Sequence, residues 1–158
     1  MFYVPLYLEL LRSRPHWMFW FAALTQAFIW LVVPIAFYFA PPGDLAQLLA
    51  IGHEFRFDGG VGPPLAYWLG EIAFRIGGLF AVYLLAQLCI LVAYWSVFAL
   101  GRIIVGPAHA AIAVLLMVGI ALLTVPSPDF GPAILTMALW PVALLHYWQA
   151  VAQGNKRS

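Results

Sequence analysis

Ile76-Gly-Gly-Leu-Phe-Ala-Val-Tyr-Leu-Leu-Ala-Gln-Leu-Cys-Ile-Leu-Val-Ala-Tyr-Trp-Ser-Val-Phe-Ala-Leu-Gly101 runs for 26 residues without a charged side chain. At a helical rise of ~1.5 Å per residue it reaches roughly 39 Å, more than the ~30 Å of a bilayer's hydrocarbon core. Three further uncharged stretches are at least as long: Pro15 to Gly43, Ile103 to Pro128 and Phe130 to Asn155. A soluble domain has no reason to repeat that length four times. The expected fold is therefore an all-α integral membrane protein with four transmembrane helices.

Composition agrees. Hydrophobic residues make up 65% of the chain and charged residues 8%, against about 25% charged in a soluble domain. Four spans and one long loop use up nearly all 158 residues, which predicts a single membrane domain over 1–158 with no separate soluble unit. The net charge of +1 carries no message about nucleic acid, and no basic run exceeds Lys156-Arg157; no nucleic-acid partner is expected, and the bilayer is. Cys89 is the sole cysteine and forms no internal disulfide. Arg12 and Arg14 before the first apolar run resemble the start of a signal peptide. That run is too long for one and lacks a small-residue cleavage pattern before Asp44, so a retained signal anchor is expected.

Basic residues set the orientation. With both termini in the cytoplasm, Arg12, Arg14, Arg102, Lys156 and Arg157 lie inside, and only Arg56 and Arg75 lie outside, as the positive-inside rule requires. Five of the six acids, Asp44, Glu54, Asp58, Glu71 and Asp129, then share the outer face. Acids do not set topology, so their one-sidedness marks the working face.

The expected spans are Trp17 to Phe39, Leu79 to Leu100, Ala108 to Val125 and Ile134 to Val151, with Pro34 and Pro141 as kink positions. His146, Tyr147 and Trp148 form an inner aromatic belt. The outer loop from Ala40 to Gly78 is read as two juxtamembrane amphipathic helices. The first follows Asp44 and places Leu45, Leu48 and Leu49 on one face. Gly59, Gly60 and Gly62 break the chain, and Pro63-Pro64 opens the second. There Tyr67, Glu71 and Arg75 form a polar stripe, with Glu71 and Arg75 in the favourable i,i+4 order; the helix is expected to lie along the membrane with its apolar side in lipid.

Asp44 and Asp129 each follow a proline-stiffened turn at the outer face. Asp44 with Gln47 has the spacing of a capping box. A carboxylate at the lipid–water boundary is also suited to accept a proton from a hydroxyl group, and a cap would hold such a base in place. Asp129 has the same two readings, capping the last helix or sharing a cation or substrate phosphate with Asp44. Glu54, Asp58 and Glu71 are read as solvated loop charges, with Glu54 the nearest to joining a site. Arg56 and Arg75 are suited to a lipid-linked phosphate or to snorkelling at the interface. His53-Glu54 begins like a zinc-protease helix, but Phe57 stands where the second histidine would be. Gln26 and Gln87 lie inside spans, where such residues join helices.

An aspartate directly after the first span (Asp44), a Gly-Pro-Pro-Leu element (Gly62 to Leu65) heading a juxtamembrane helix that ends in Gly77-Gly78, and a further aspartate in the second outer loop (Asp129) resemble the N-terminal part of the GT-C polytopic glycosyltransferases. The likeness is to the family 39 group related to protein O-mannosyltransferases and the lipid A aminoarabinose transferase. It implies transfer of a sugar from a polyprenyl-phosphate donor to an acceptor hydroxyl of a glycan, lipid or protein at the outer face of the bacterial inner membrane. By that resemblance Asp44 matches the catalytic base, and Asp129 an acid tied to metal or substrate positioning. The pair would then ligate a divalent metal ion, and Glu54, Arg56, Pro63, Pro64 and Arg75 are the expected substrate contacts. Many relatives carry two adjacent acids at the first site, whereas Leu45 follows Asp44 here. The family's later spans and soluble domain are absent from these 158 residues, so the resemblance implies a truncated enzyme, inactive alone. The alternative is a non-catalytic four-span protein serving as an assembly partner or an inactive remnant.

Overall fold

The computed structural model describes residue 9 and residues 13–39, 43–55, 64–120 and 129–154, and among these all regular structure is helical. The helices are α1 (Pro15–Phe37), α2 (Leu45–His53), α3 (Pro64–Ile104), α4 (Pro107–Val118) and α5 (Pro132–Gly154). Four of the five begin on a proline, whose fixed φ suits the first helical position and whose missing N–H costs nothing there.

Among the described residues three helices are long and apolar enough to cross a bilayer: Pro15–Phe37, Pro64–Ile104 and Pro132–Ala152. The chain is a multi-pass membrane protein. The third expected span, 108–125, coincides with α4, whose 12 residues reach only ~18 Å. Residues 121–128 lie outside the described ones.

α3 holds the rest together, packing against α1, α2, α4 and α5, while α1 also packs on α4. Its 41 residues are two arms joined at Gly77 (φ −147°, ψ 22°) and Gly78 (φ 63°, ψ −153°). No atom lies within 4 Å of where a Gly78 Cβ would sit, so backbone conformation rather than crowding requires glycine there. The short arm (64–76) carries α2, and the long arm (79–104) runs through the bundle. This is the boundary expected between juxtamembrane helix and span.

Small side chains let the helices approach closely. Ala23 on α1, Ala86 and Ala93 on α3, and Ala110 and Ala111 on α4 are all buried. A Cβ on Gly101 would stand 3.1 Å from that of Ala110. In a membrane, where lipid tails are as apolar as leucine, close packing of this kind replaces the hydrophobic effect between helices. Phe19 stacks on Phe98 with ring centres 4.5 Å apart, tying α1 to the C-terminal end of α3. Gln26 and Gln87 are both buried inside the bundle. Phe21, Phe28, Leu116 and Trp140 face outward, a surface suited to lipid.

Candidate active site

The site begins with a glycine. Gly43 has φ +55°, a left-handed conformation that turns the chain from the end of α1 into α2. The place a Cβ would occupy on Gly43 is filled by the carboxylate of Asp129. That carboxylate accepts a hydrogen bond from the backbone N–H of Asp44. The two turns, 85 positions apart in sequence, therefore meet at one point, fixed by a contact that only glycine permits.

The expected capping box is not formed: Asp44 is the N-cap of α2, yet its side chain makes no cap hydrogen bond. In such a box the Gln47 side chain would reach back to the Asp44 N–H. That donor goes to Asp129 instead, and an ionised acceptor makes the stronger bond. Asp129 does not cap α5 either, since α5 starts three residues later at Pro132.

Asp44 and Asp129 line a cavity of about 530 Å³, together with Gln47 and Tyr67. Its walls are apolar: Leu48 and Ile51 of α2, Phe130, and Ile134 and Met137 of α5. Phe130 and Leu48 are buried, and Gly70 on α3 makes room for both. Burial pushes the Asp129 carboxyl above its ordinary value; the hydrogen bond from Asp44 acts against this, and the Asp44 charge adds to it. The cavity thus combines a desolvated carboxylate with an exposed one (Asp44), beside a phenol and an amide.

Glu71 corrects the sequence reading. Far from being a solvated loop charge, it is only 4% exposed, because its stripe of α3 faces α2 rather than water. A Cβ on Gly52 of α2 would lie 3.1 Å from the Glu71 Cβ, so glycine lets the helices nearly touch. Arg75 Nε donates to Glu71 Oε1 at 2.8 Å, as the i,i+4 order predicted, and His53 Nδ1 lies 3.0 Å from the same oxygen. Arg75 also sits over the Phe55 ring, 5.2 Å from its centre. Phe55 holds a left-handed φ of 48°, unusual for a bulky residue, at the point where α2 ends. One buried carboxylate therefore holds the far end of α2 while Asp129 holds its start.

The Arg75 hydrogen bond keeps the Glu71 carboxyl below its ordinary value of 4.5 against the opposing effect of burial, with His53 adding to Arg75. A carboxyl lowered in the folded state stabilises it above the unfolded pKa, and that stabilisation fades as pH falls. Amide exchange of α2, corrected for its intrinsic rate, is expected to lose protection as pH drops below the ordinary value of 4.5. Glu71→Gln should remove this pH dependence, and an unchanged profile in the variant would assign the protection elsewhere.

The structure brings together the two residues expected to do chemistry and disperses most of the expected substrate contacts. Glu54 is exposed just past α2, Pro64 starts α3, and Arg75 is bound to Glu71; none of the three lines the cavity. Arg56, Asp58 and Pro63 lie outside the described residues. Gly43, Gln47, Tyr67 and Phe130 were not singled out for the site. The Pro41-Pro-Gly-Asp44 turn was the available signal for Gly43, and the stripe position one turn before Glu71 was that for Tyr67. Among the described residues no group of three or more His, Cys, Asp or Glu side chains converges as a metal site. Two carboxylates in a water-accessible cavity do fit a hard ion of the magnesium type, which takes one or two protein carboxylates and fills its shell with water and phosphate.

The family model for dolichyl-phosphate-mannose-protein mannosyltransferase matches residues 61–158. The chain belongs to this family. The matched segment takes in α3, α4, α5 and Asp129, while Asp44 and α2 precede it. No curated protein and no solved structure matches the chain. A membrane glycosyltransferase family with a lipid-linked sugar donor is consistent with a carboxylate-lined cavity built on long apolar helices.

Proposed function

We propose that this chain forms a single membrane domain of four spans that transfers a sugar from a polyprenyl-phosphate donor to an acceptor hydroxyl at the outer face of the bacterial inner membrane, with both termini cytoplasmic. The observation that carries this reading is the convergence of Asp44 and Asp129 in one cavity at one end of the bundle. The apolar wall of that cavity, Ile134 and Met137 on α5, suits the apolar part of a lipid-linked donor. Family membership supplies the reaction type.

In this reading Asp44, whose side chain caps no helix, takes the proton from the acceptor hydroxyl. The acceptor oxygen then forms its bond to the anomeric carbon as the bond from that carbon to the phosphate oxygen breaks, and the lipid phosphate leaves with the electron pair. Asp129 acts by position: bonded to the Asp44 N–H and seated against Gly43, it fixes the turn that presents the base. A divalent ion held by Asp44 and Asp129 would supply positive charge to the departing phosphate. Phosphate is already a competent leaving group, so holding the reactants in line provides much of the acceleration.

The test is a transfer assay using a radiolabelled polyprenyl-phosphate sugar and membranes containing the chain, with initial rates followed across pH. Burial raises Asp129 from its ordinary 3.8, and the active form carries it ionised. The rate is therefore expected to fall, as pH decreases, at a point above that value, and Asp129→Asn should shift this acid limb. Absence of transfer by folded, inserted protein would overturn this reading in favour of a chain inactive alone, as the resemblance implied, or of a non-catalytic assembly partner.

A further inference from the structure

A second cavity, of about 230 Å³, lies where the end of α1 meets the bend of α3, lined by Pro34, Tyr38, Phe39, Leu79, Phe80 and Tyr83. It shares no lining residue with the larger cavity. The two are nevertheless neighbours, because Tyr83 lies within electrostatic reach of both Tyr38 and Asp129. The left-handed turn at Gly78 starts the arm that carries Leu79, Phe80 and Tyr83, and α1 ends at Phe37 as Tyr38 becomes extended. The end of α1 and the bend of α3 thus frame one aromatic niche within electrostatic reach of Asp129.

Four of its lining side chains are aromatic, and two of those carry hydroxyls. A sugar ring has the matching chemistry, with apolar C–H faces for aromatic rings and hydroxyl edges for phenols that both donate and accept. The cavity is of a size for a single ring rather than for a folded peptide. No charged residue lines it, so it does not suit a phosphate.

We propose that this niche seats the terminal sugar ring of a glycan acceptor, placing the acceptor hydroxyl toward the aspartate pair while the lipid donor occupies the larger cavity. This rests on the transferase reading and adds to it the acceptor's chemical class and its place. The niche accounts for how two substrates approach one base without competing for the same space.

The experiment uses the full chain in nanodiscs and a photoreactive octyl glucoside, with crosslinks mapped by mass spectrometry. A serine-bearing apolar peptide with the same photoreactive group serves as the comparison. Glucoside labelling is expected to concentrate at residues 34–39 and 79–83, to be competed by unlabelled octyl glucoside, and to fall at least tenfold in Phe80→Trp, which fills the niche. Leu88→Trp, on a lipid-exposed part of the same helix, should leave it unchanged. Tyr38→Phe, which removes only a hydroxyl from an exposed residue, gives a second variant should Phe80→Trp not fold, with labelling expected to weaken severalfold. Labelling spread along the lipid-facing helices, insensitivity to both niche variants, or preferential labelling by the peptide would overturn the proposal. Because crosslinking needs no turnover, glucoside bound in the niche of a protein without transferase activity would leave the sugar site standing and remove its role as an acceptor site.

Discussion

Asp44→Asn is expected to lower sugar transfer by about 10²–10⁴-fold, the usual contribution of a positioned general base, without changing membrane insertion or thermal stability. The two halves of this expectation have separate causes. An amide cannot take the acceptor's proton, so the chemical step loses its base. The fold is unaffected because the Asp44 side chain makes no cap hydrogen bond, while the backbone N–H that anchors Asp129 remains. Asp44→Ala separates the readings further. Where an aspartate caps its helix, alanine costs about 0.5–2 kcal/mol; here it should cost less, although activity falls as in the asparagine variant. Transfer rates on membranes, with denaturation midpoints of the purified variants in detergent, check both halves. Full activity in Asp44→Asn would remove Asp44 from the role of base. A loss of stability in Asp44→Ala comparable to that of a lost cap would return its side chain to a structural role.

Much of the framework was legible because it is written in local chemistry. Prolines at 15, 64, 107 and 132 mark helix starts through their fixed φ, and the Gly77-Gly78 pair marks the bend because a left-handed residue there needs no Cβ. Charge-free length pointed to four spans; three described helices are long and apolar enough, while α4 has 12 residues. The site was legible as an aspartate pair expected to share a cation or a substrate phosphate, but the contact that joins the two was not. Their meeting depends on Gly43, whose importance lies in the carboxylate that fills the space beside it, and nothing in a linear pattern names that partner. Glu71 failed for the same reason. Its spacing to Arg75 was readable, but its burial comes from Gly52 of α2, which packs against it from 19 positions away. Gln47 shows how tertiary contact overrides a local motif: the capping-box spacing is present, and a charged acceptor from another turn takes the donor it would have used.

Gly43→Ala should reduce transfer by about 100-fold, the scale expected when a reacting group is misplaced by ~1 Å. Two effects act together. An alanine at φ +55° is strained by about 1–2 kcal/mol, and its methyl group would overlap the Asp129 carboxylate. Either the turn opens or Asp129 moves away, and both outcomes break the hydrogen bond that orients the Asp44 backbone. Gly131→Ala is the control. Its Cβ would find its nearest neighbours at 3.9 Å and 4.0 Å, ordinary contact distances, so transfer should stay within a few-fold of the parent. The combination of Gly43→Ala with Asp129→Ala isolates the overlap from the backbone strain. Removing the carboxylate removes the clash, so the double variant should be more stable than the sum of the single changes predicts, while transfer remains low because the orienting acceptor is gone. Coupling of this kind, typically 0.5–3 kcal/mol between contacting residues, would be read from denaturation midpoints. Strict additivity of the two substitutions would mean that Gly43 and Asp129 do not touch, and the meeting of the two turns on which the site is built would be lost with it.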